Sequence, residues 1–469
     1  MYQQAYNPFL PSWEYIPDGE PHIFEGRLYL YGSHDRFNGT QFCMNDYVCW
    51  SCPLEDLSNW RLEGTIYKKN QDPKAGPESI LQAPDVCQGP DGRYYLYYNL
   101  GLAPFTSVAV CDTPAGKYEY YGMVKRKDGK LAGMGERDVF PFDPGVFRDD
   151  DGRIWLYTGF GPQEEGMFAE AAKRFQMEGA YCMELEEDML TLRSEPKLIF
   201  SKEGEHGFFE ASSMRKIGDR YYFLYSSQLG HELCWAVGNS PEGPFTYGGT
   251  LVSNGDIGLS EKPLNYTGNT HGSIVCIGKQ WYVFYHRQTN RHQYFRQACA
   301  EKIDFVEGRF LQAELTSCGL NDGPLRGLGR YEARIACHLW SKEGALFYGL
   351  LNTPEAKDHP YFTQTGEDRE GEGDQYIANL QDGATAGFRY FALEGLEKIG
   401  AEVSGNGKGV LLISLGAQEK PFCKISVNPE GQKQMFYGCC PHQSGTVSLY
   451  FTFQGSGSID FHSFVLGEE

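Results

Sequence analysis

The sequence predicts an all-β protein: a five-bladed β-propeller followed by a β-sandwich of the jelly-roll kind. Three observations lead there. The 469 residues include 31 Tyr, 30 Phe and 57 Gly, and aromatics with Gly favour strands and tight turns over helix. Five similar aromatic segments recur through the first 300 residues, and past about residue 305 a different strand pattern replaces them. A chain of this length also exceeds what one hydrophobic core usually serves, which favours two domains.

The recurring segments are EGRLYLYGSHD from Glu25, DGRYYLYYN from Asp91, DGRIWLYTG from Asp151, GDRYYFLYSS from Gly218 and GKQWYVFYHR from Gly278. Each has a turn glycine ahead of an aromatic strand, the signature of a hairpin. The glycines stand at 26, 92, 152, 218 and 278, so the repeat is 60 to 66 residues long. That is room for one four-stranded sheet per repeat, a propeller blade with long loops.

The strand before each turn carries the chemistry. Seven to nine residues before the turn glycines lie Asp18, Asp85, Asp143, Glu210 and His271, one ionisable side chain per repeat. A single Asp near a strand end is as readily a turn cap as anything else. Five at one register are different: the innermost strands of a propeller line its channel, so these groups are expected to converge at one mouth of it. Several carboxylates buried together are costly unless a site uses them.

Composition narrows the partners. A formal charge of −20 repels phosphate backbones and anionic membranes, which argues against nucleic acid and lipid and leaves neutral sugars compatible. The N-terminal stretch has no basic start followed by an apolar run, so secretion is not indicated and a cytoplasmic location is expected. No segment has the roughly 18 consecutive apolar residues of a membrane helix. The 14 cysteines show no disulfide framework and read as buried thiols. Cys49 and Cys52 form one CxxC without a second pair, a weak signal for zinc or redox chemistry.

Three motifs resemble glycoside hydrolase family 43, a family of five-bladed propellers that includes arabinofuranosidases, xylosidases and arabinanases. PDGEPHIFEGRLYLYGSHD is similar to the family's opening strand and places Asp18 at the base position, with Glu20 as the rival. FDPGVFRDDDGRIWLYTG places Asp143 at the position of the aspartate that modulates the acid's pKa. FFEASSMRKIGDRYYFLYSS places Glu210 at the general acid. The resemblance spans residues 7 to about 300. It further implies that His271, in NTHGSIV, sits on the channel axis near a possible calcium ion. Arg287, in FYHRQ, would reach the substrate or the base, and Asp85, in QAPDV, which resembles the family's second-blade segment, would bind the substrate. Gln82 stands where the family usually has Trp.

The resemblance implies an inverting hydrolase that needs no cofactor. One carboxylic acid protonates the leaving oxygen while a carboxylate activates water on the opposite sugar face. The expected activity is exo-acting release of terminal α-L-arabinofuranosyl groups from oligosaccharides of the arabinoxylan or arabinan type. β-Xylosidase comes next, alone or with it, and then galactofuranosidase. Phe105 and Phe160, in turn-rich segments after blade hairpins, are candidate walls for the sugar's apolar face, although core packing is at least as natural for each. A non-catalytic sugar-binding propeller and a protein-interaction scaffold are the alternatives from other classes. Loss of turnover with retained sugar binding in Glu210→Gln separates catalysis from binding alone.

The expected domains are 1–305 for the propeller, 306–330 for a Gly-rich connection and 331–469 for the sandwich. In the last part, YIANLQDGATAGFRYF, GVLLISL and SLYFTFQGSGSIDFHSFVL alternate apolar and polar residues. The final segment resembles the closing strands of family 6 carbohydrate-binding modules. With Trp340 the only Trp after residue 300, a structural domain is the preferred reading over a sugar-binding one.

Overall fold

The computed structural model describes residues 4–162, 168–347, 354–370 and 374–468. It holds the expected two β architectures. Among the described residues, helix is limited to Ala169–Arg174 and short 3₁₀ turns.

Four antiparallel four-stranded meanders and a three-stranded fifth sheet form the blades. Their innermost strands are Glu20–Phe24, Leu81–Gln88, Gly145–Arg148, Phe208–Ile217 and Ser273–Ile277. The first and last of these touch, and a parallel bridge between Gly19 and Gly272 closes the ring. Gly272 has no room for a side chain: a Cβ there would lie 1.9 Å from the Phe284 carbonyl oxygen. All five turn glycines of the repeat have positive φ, between 60° and 87°, which is why glycine recurs at that position.

The aromatic strands explain how the blades hold together. Successive side chains of a strand face opposite ways, so each strand feeds two interfaces. Leu28 and Leu30 pack with Phe284 and Ala300 of the fifth blade, whereas Tyr29 and Tyr31 pack with Leu96 and Tyr98 of the second. The same division repeats between blades two and three, three and four, and four and five. Both faces are apolar, so the strands lack a polar side.

Cys49 and Cys52, three apart on Tyr47–Pro53, consequently fall into two different clusters and do not share a metal. All 14 cysteines are free thiols.

After a short hairpin, Phe305–Val306 with Arg309–Phe310, the chain enters the C-terminal β-sandwich, whose sheet takes its first strand at Leu325–Arg326. Two long strands, Thr385–Gly405 and Gln434–Ser456, pair with each other along their length and organise its core around Phe388, Phe451, Phe461 and Phe464. Trp340 packs on Tyr450 with ring centroids 5.8 Å apart, so it forms no free aromatic shelf.

The sandwich grips the propeller at several points. Tyr15 donates to Gln364 (2.6 Å), Asp368 accepts the Phe37 amide (2.8 Å), and Arg369 pairs with the buried Glu14 (2.6 Å).

Candidate active site

Asp18, Asp143 and His271 occupy one position of the blade, two residues ahead of an innermost strand, and Glu210 is the third residue of another. The ring brings these four together. His271 Nδ1 lies 3.5 Å from Asp143 Oδ2 and 3.9 Å from Asp18 Oδ1. The Ala211 amide donates to the Asp143 carboxylate, which ties the third blade's acid to the residue following Glu210. Asp18, Asp143 and Ala211 all have positive φ (57°, 47° and 69°). Non-glycine residues enter that region at an energetic cost, and such strain collects at functional sites. Asp18 and Asp143 are each 5% exposed, whereas Glu210 is only half-buried and borders the mouth.

The carboxylates do not share one charge state. Burial is the largest single influence on Asp18 and raises its pKa, but Arg296, whose Nη1 donates to Oδ1 at 2.9 Å, together with His271, His286 and Ser33 outweighs it and holds the group below the usual carboxylate range. Arg296 is itself locked by Asp35, through Nε at 2.8 Å and Nη2 at 3.0 Å. His286 Nδ1 accepts the Asp18 amide at 3.2 Å; burial and then Arg296 push its pKa down to about 3, so it is neutral.

Glu210 goes the other way, to about 8, through burial and then the charge of Asp18. Asp143 is raised well above its ordinary value by burial, then by Glu210 and Asp18. Asp143 and Glu210 repel each other as like charges, and both stand above their ordinary values. The two behave as a pair that retains a proton at neutral pH.

Deeper in the channel lies a second cluster. Asp85 Oδ1 meets His22 Nε2 at 2.7 Å, and its Oδ2 accepts the Val146 amide at 2.7 Å. Glu20 pairs with Arg215 at 2.8 Å and accepts from Ser213 at 3.1 Å. Burial and then Asp85 push its pKa to about 8, and its Oε1 has no donor. Glu20 is therefore separated in environment from Asp18, which alone of the two touches Arg296, His286 and His271.

Three sequence expectations need correction. Arg287 does not face the site: it is buried against the sandwich, donating to the Ala336 carbonyl (3.0 Å) and to Gln297 (3.0 Å), with its guanidinium 3.7 Å from the centre of the Phe362 ring. The role assigned to it is geometrically open to Arg296, on the neighbouring strand His292–Ile303. On the strand Gln280–Thr289, alternation sends His286 toward Asp18 and Arg287 away. Phe160 is 3% exposed inside a cluster with Phe140, Phe142 and Phe175. It supports Phe209, next to Glu210, with ring centroids 5.3 Å apart, and has no face left for a sugar. The third is Asp85, which does not converge with the other four but joins His22 and Glu20 in the deeper cluster. Phe105 is half-buried and packs onto the core between the first two blades, the reading at least as natural for it from the sequence.

The run Asp149–Asp151 is a hairpin, as read from the sequence: Asp149 is held by Lys216 and Tyr221, both at 2.6 Å.

Residues 17–310 match the family described as Glycosyl hydrolases family 43. A xylosidase/arabinosidase of Thermoclostridium stercorarium is 47% identical over 482 residues, covering 99% of each chain. A second xylosidase/arabinosidase, from Bacteroides ovatus, is 31% identical and covers 59% of this chain and 87% of its own. Among solved structures, a family 43 enzyme of Xanthomonas citri complexed with xylose superposes with a TM-score of 0.53 at 25% identity, over 65% of this chain and 92% of that one. An arabinoxylan arabinofuranohydrolase of Bacillus subtilis shares the fold across 99% of this chain and 97% of its own, at 20% identity and a TM-score of 0.52.

Proposed function

Given that the chain belongs to glycosyl hydrolase family 43, we propose that this glycosidase acts with inversion and from the chain end, releasing α-L-arabinofuranosyl and β-D-xylosyl groups from arabinoxylan-type oligosaccharides. Asp18 is the base, Glu210 the acid, and Asp143 the partner that sets the acid's proton affinity and orientation.

The observation that carries the reading is the split in charge state: an Arg296-bound, ionised Asp18 faces an Asp143–Glu210 pair that keeps a proton. Opposite protonation of two carboxyl groups at one neutral pH is what inverting hydrolysis requires. Glu210, at the rim, protonates the departing oxygen, and Asp18, deeper, draws a proton from the attacking water. Both specificities are proposed because the relative that matches end to end carries both names. The two pentosyl groups are isomers, and a pocket separates such close shapes by only about 1–3 kcal/mol.

The test compares p-nitrophenyl α-L-arabinofuranoside with β-D-xylopyranoside. Turnover of both, with kcat/KM within about 200-fold, is the expected result. A larger gap would assign a single specificity, and turnover of neither by folded protein would overturn the pentosidase reading.

The channel cation implied by the resemblance fits the donors here. Glu20 Oε1 is a buried oxygen without a donor, and Glu20, His22 and Asp85 bring their ligand atoms within 4.8 Å of one another; hard cations take oxygen ligands. The carboxylate oxygens of Glu20 and Asp85 would hold a calcium ion, which would supply positive charge to the floor of the site.

The pH dependence has a worked sign. The acid must be protonated, so kcat/KM falls as pH rises through about 8; the base must be ionised, so it falls again where Asp18 takes up a proton. Arg296→Lys, which keeps a charge but loses the fork shared by Asp18 and Asp35, is expected to move the acid-side limb upward by about one unit. A pH profile of kcat/KM checks it, and an unmoved limb would remove Arg296 from the control of Asp18.

A further inference from the structure

Away from the channel, where the third and fourth blades meet, the structure assembles three metal-binding groups that the hydrolytic reaction leaves unused. Glu232 and Cys234 are two residues apart at the start of the strand Leu233–Gly238 and so face the same side. His206 comes from the turn ahead of the strand Phe208–Ile217. One ligand atom from each lies within 4.8 Å of the other two. Cys234 is fully buried and Glu232 is 3% exposed.

Each of the three has a deficit that a cation would satisfy. His206 Nδ1 is buried without a hydrogen-bond partner, and its ring is held by stacking on Tyr247, with centroids 4.4 Å apart. Glu232 has a hydrogen bond from Thr250 Oγ1 at 3.3 Å, a neutral group that does not compensate a buried charge. Burial, and beside it Glu205, push its pKa to about 7. The Cys234 sulfur has neutral hydroxyl neighbours, Thr250 Oγ1 at 3.8 Å and the Ser227 and Tyr247 side chains, and, among the described residues, no cation to favour its thiolate.

Imidazole, carboxylate and thiolate together suit a borderline-soft, tetrahedral cation and not calcium or magnesium, which take oxygen. Ligand atoms in a tetrahedral zinc site stand roughly 3.3–3.6 Å apart given the usual bond lengths. The ligand atoms would draw in from within 4.8 Å on binding, and His206 is the least buried of the three.

We propose that His206, Glu232 and Cys234 form a zinc site with its fourth position open to water. Binding replaces the S–H proton of Cys234, released to solvent, with a Zn–S bond, and no electron changes hands. The site joins two loops beneath the Glu210 strand: the Gln228 amide donates to the Gly207 carbonyl at 2.9 Å and Tyr225 donates to the His206 carbonyl at 2.7 Å. Zinc here is a clamp on the segment that begins four residues before Glu210.

Full-length protein, stripped with a chelator and dialysed, is titrated with Co²⁺ and then Zn²⁺. One equivalent of Co²⁺ is expected to give a thiolate-to-metal charge-transfer band that one equivalent of Zn²⁺ displaces, and Zn²⁺ is expected to raise the melting temperature. Cys234→Ser abolishes the band, and His206→Ala weakens Zn²⁺ at least about 10–100-fold. If Cys234→Ser fails to fold, His206→Ala carries the test, because it removes only the least buried of the three side chains. No band in wild type, or an unchanged band and affinity in His206→Ala, overturns the proposal.

Discussion

Replacing Glu210 with Gln is expected to cut kcat on an unactivated arabinoxylan oligosaccharide about 10²–10⁴-fold, with a far smaller loss on a p-nitrophenyl pentoside. Gln keeps the size and a polar end but has no proton to give. An alkoxide leaving group departs poorly without that proton, whereas p-nitrophenolate is stable enough to leave largely unaided. The contrast therefore isolates proton donation from binding. Substrate affinity should change little, because the change sits at the reacting oxygen and not on the sugar's hydroxyls. Steady-state kinetics on the two substrate types provides the check; equal losses on both would show that Glu210 does not deliver the proton.

Asp18→Asn should be as damaging, about 10²–10⁴-fold in kcat, but alike for good and poor leaving groups, because water activation is needed whatever departs. Asn retains the shape and can still accept from Arg296, which Asp35 continues to neutralise. This protects the fold: truncating Arg296 outright would strand two buried carboxylates, at a cost of about 3–5 kcal/mol for a broken buried pair. A variant within about tenfold of wild type on both substrates would remove Asp18 from the role and turn attention to Glu20, two residues on. The difference in leaving-group dependence between the two variants separates acid from base without reference to any relative.

The blade count and the positions of Asp18, Asp143, Glu210 and His271 were legible in the sequence because they follow from register. A glycine at positive φ marks each hairpin, and a fixed count back from it reaches the channel. What was not legible followed from the same aromatic richness. The strand Gln280–Thr289 is buried on both faces along most of its length, so polarity does not tell which of His286 and Arg287 points inward. Arg296 stands on a strand without a motif, its significance visible only once Asp18 and Asp35, 278 and 261 residues away, meet it. Phe160 lies in a Gly-rich turn segment, but its neighbours Phe140 and Phe168 come from other segments and claim its faces. The cluster at His206 left only a faint trace, the alternating Glu232 and Cys234.

The pairing of Glu14 with Arg369 also bears on how the propeller depends on the second domain. Glu14 is wholly buried, and the arginine that pairs with it follows 355 residues later. Within the propeller His34 and Trp50 are its partners, and a carboxylate entering an apolar interior short of its countercharge resists burial. The sandwich thus supplies a cationic partner for a buried propeller carboxylate, and a chain ending before Arg369 would leave Glu14 to the side chains of His34 and Trp50.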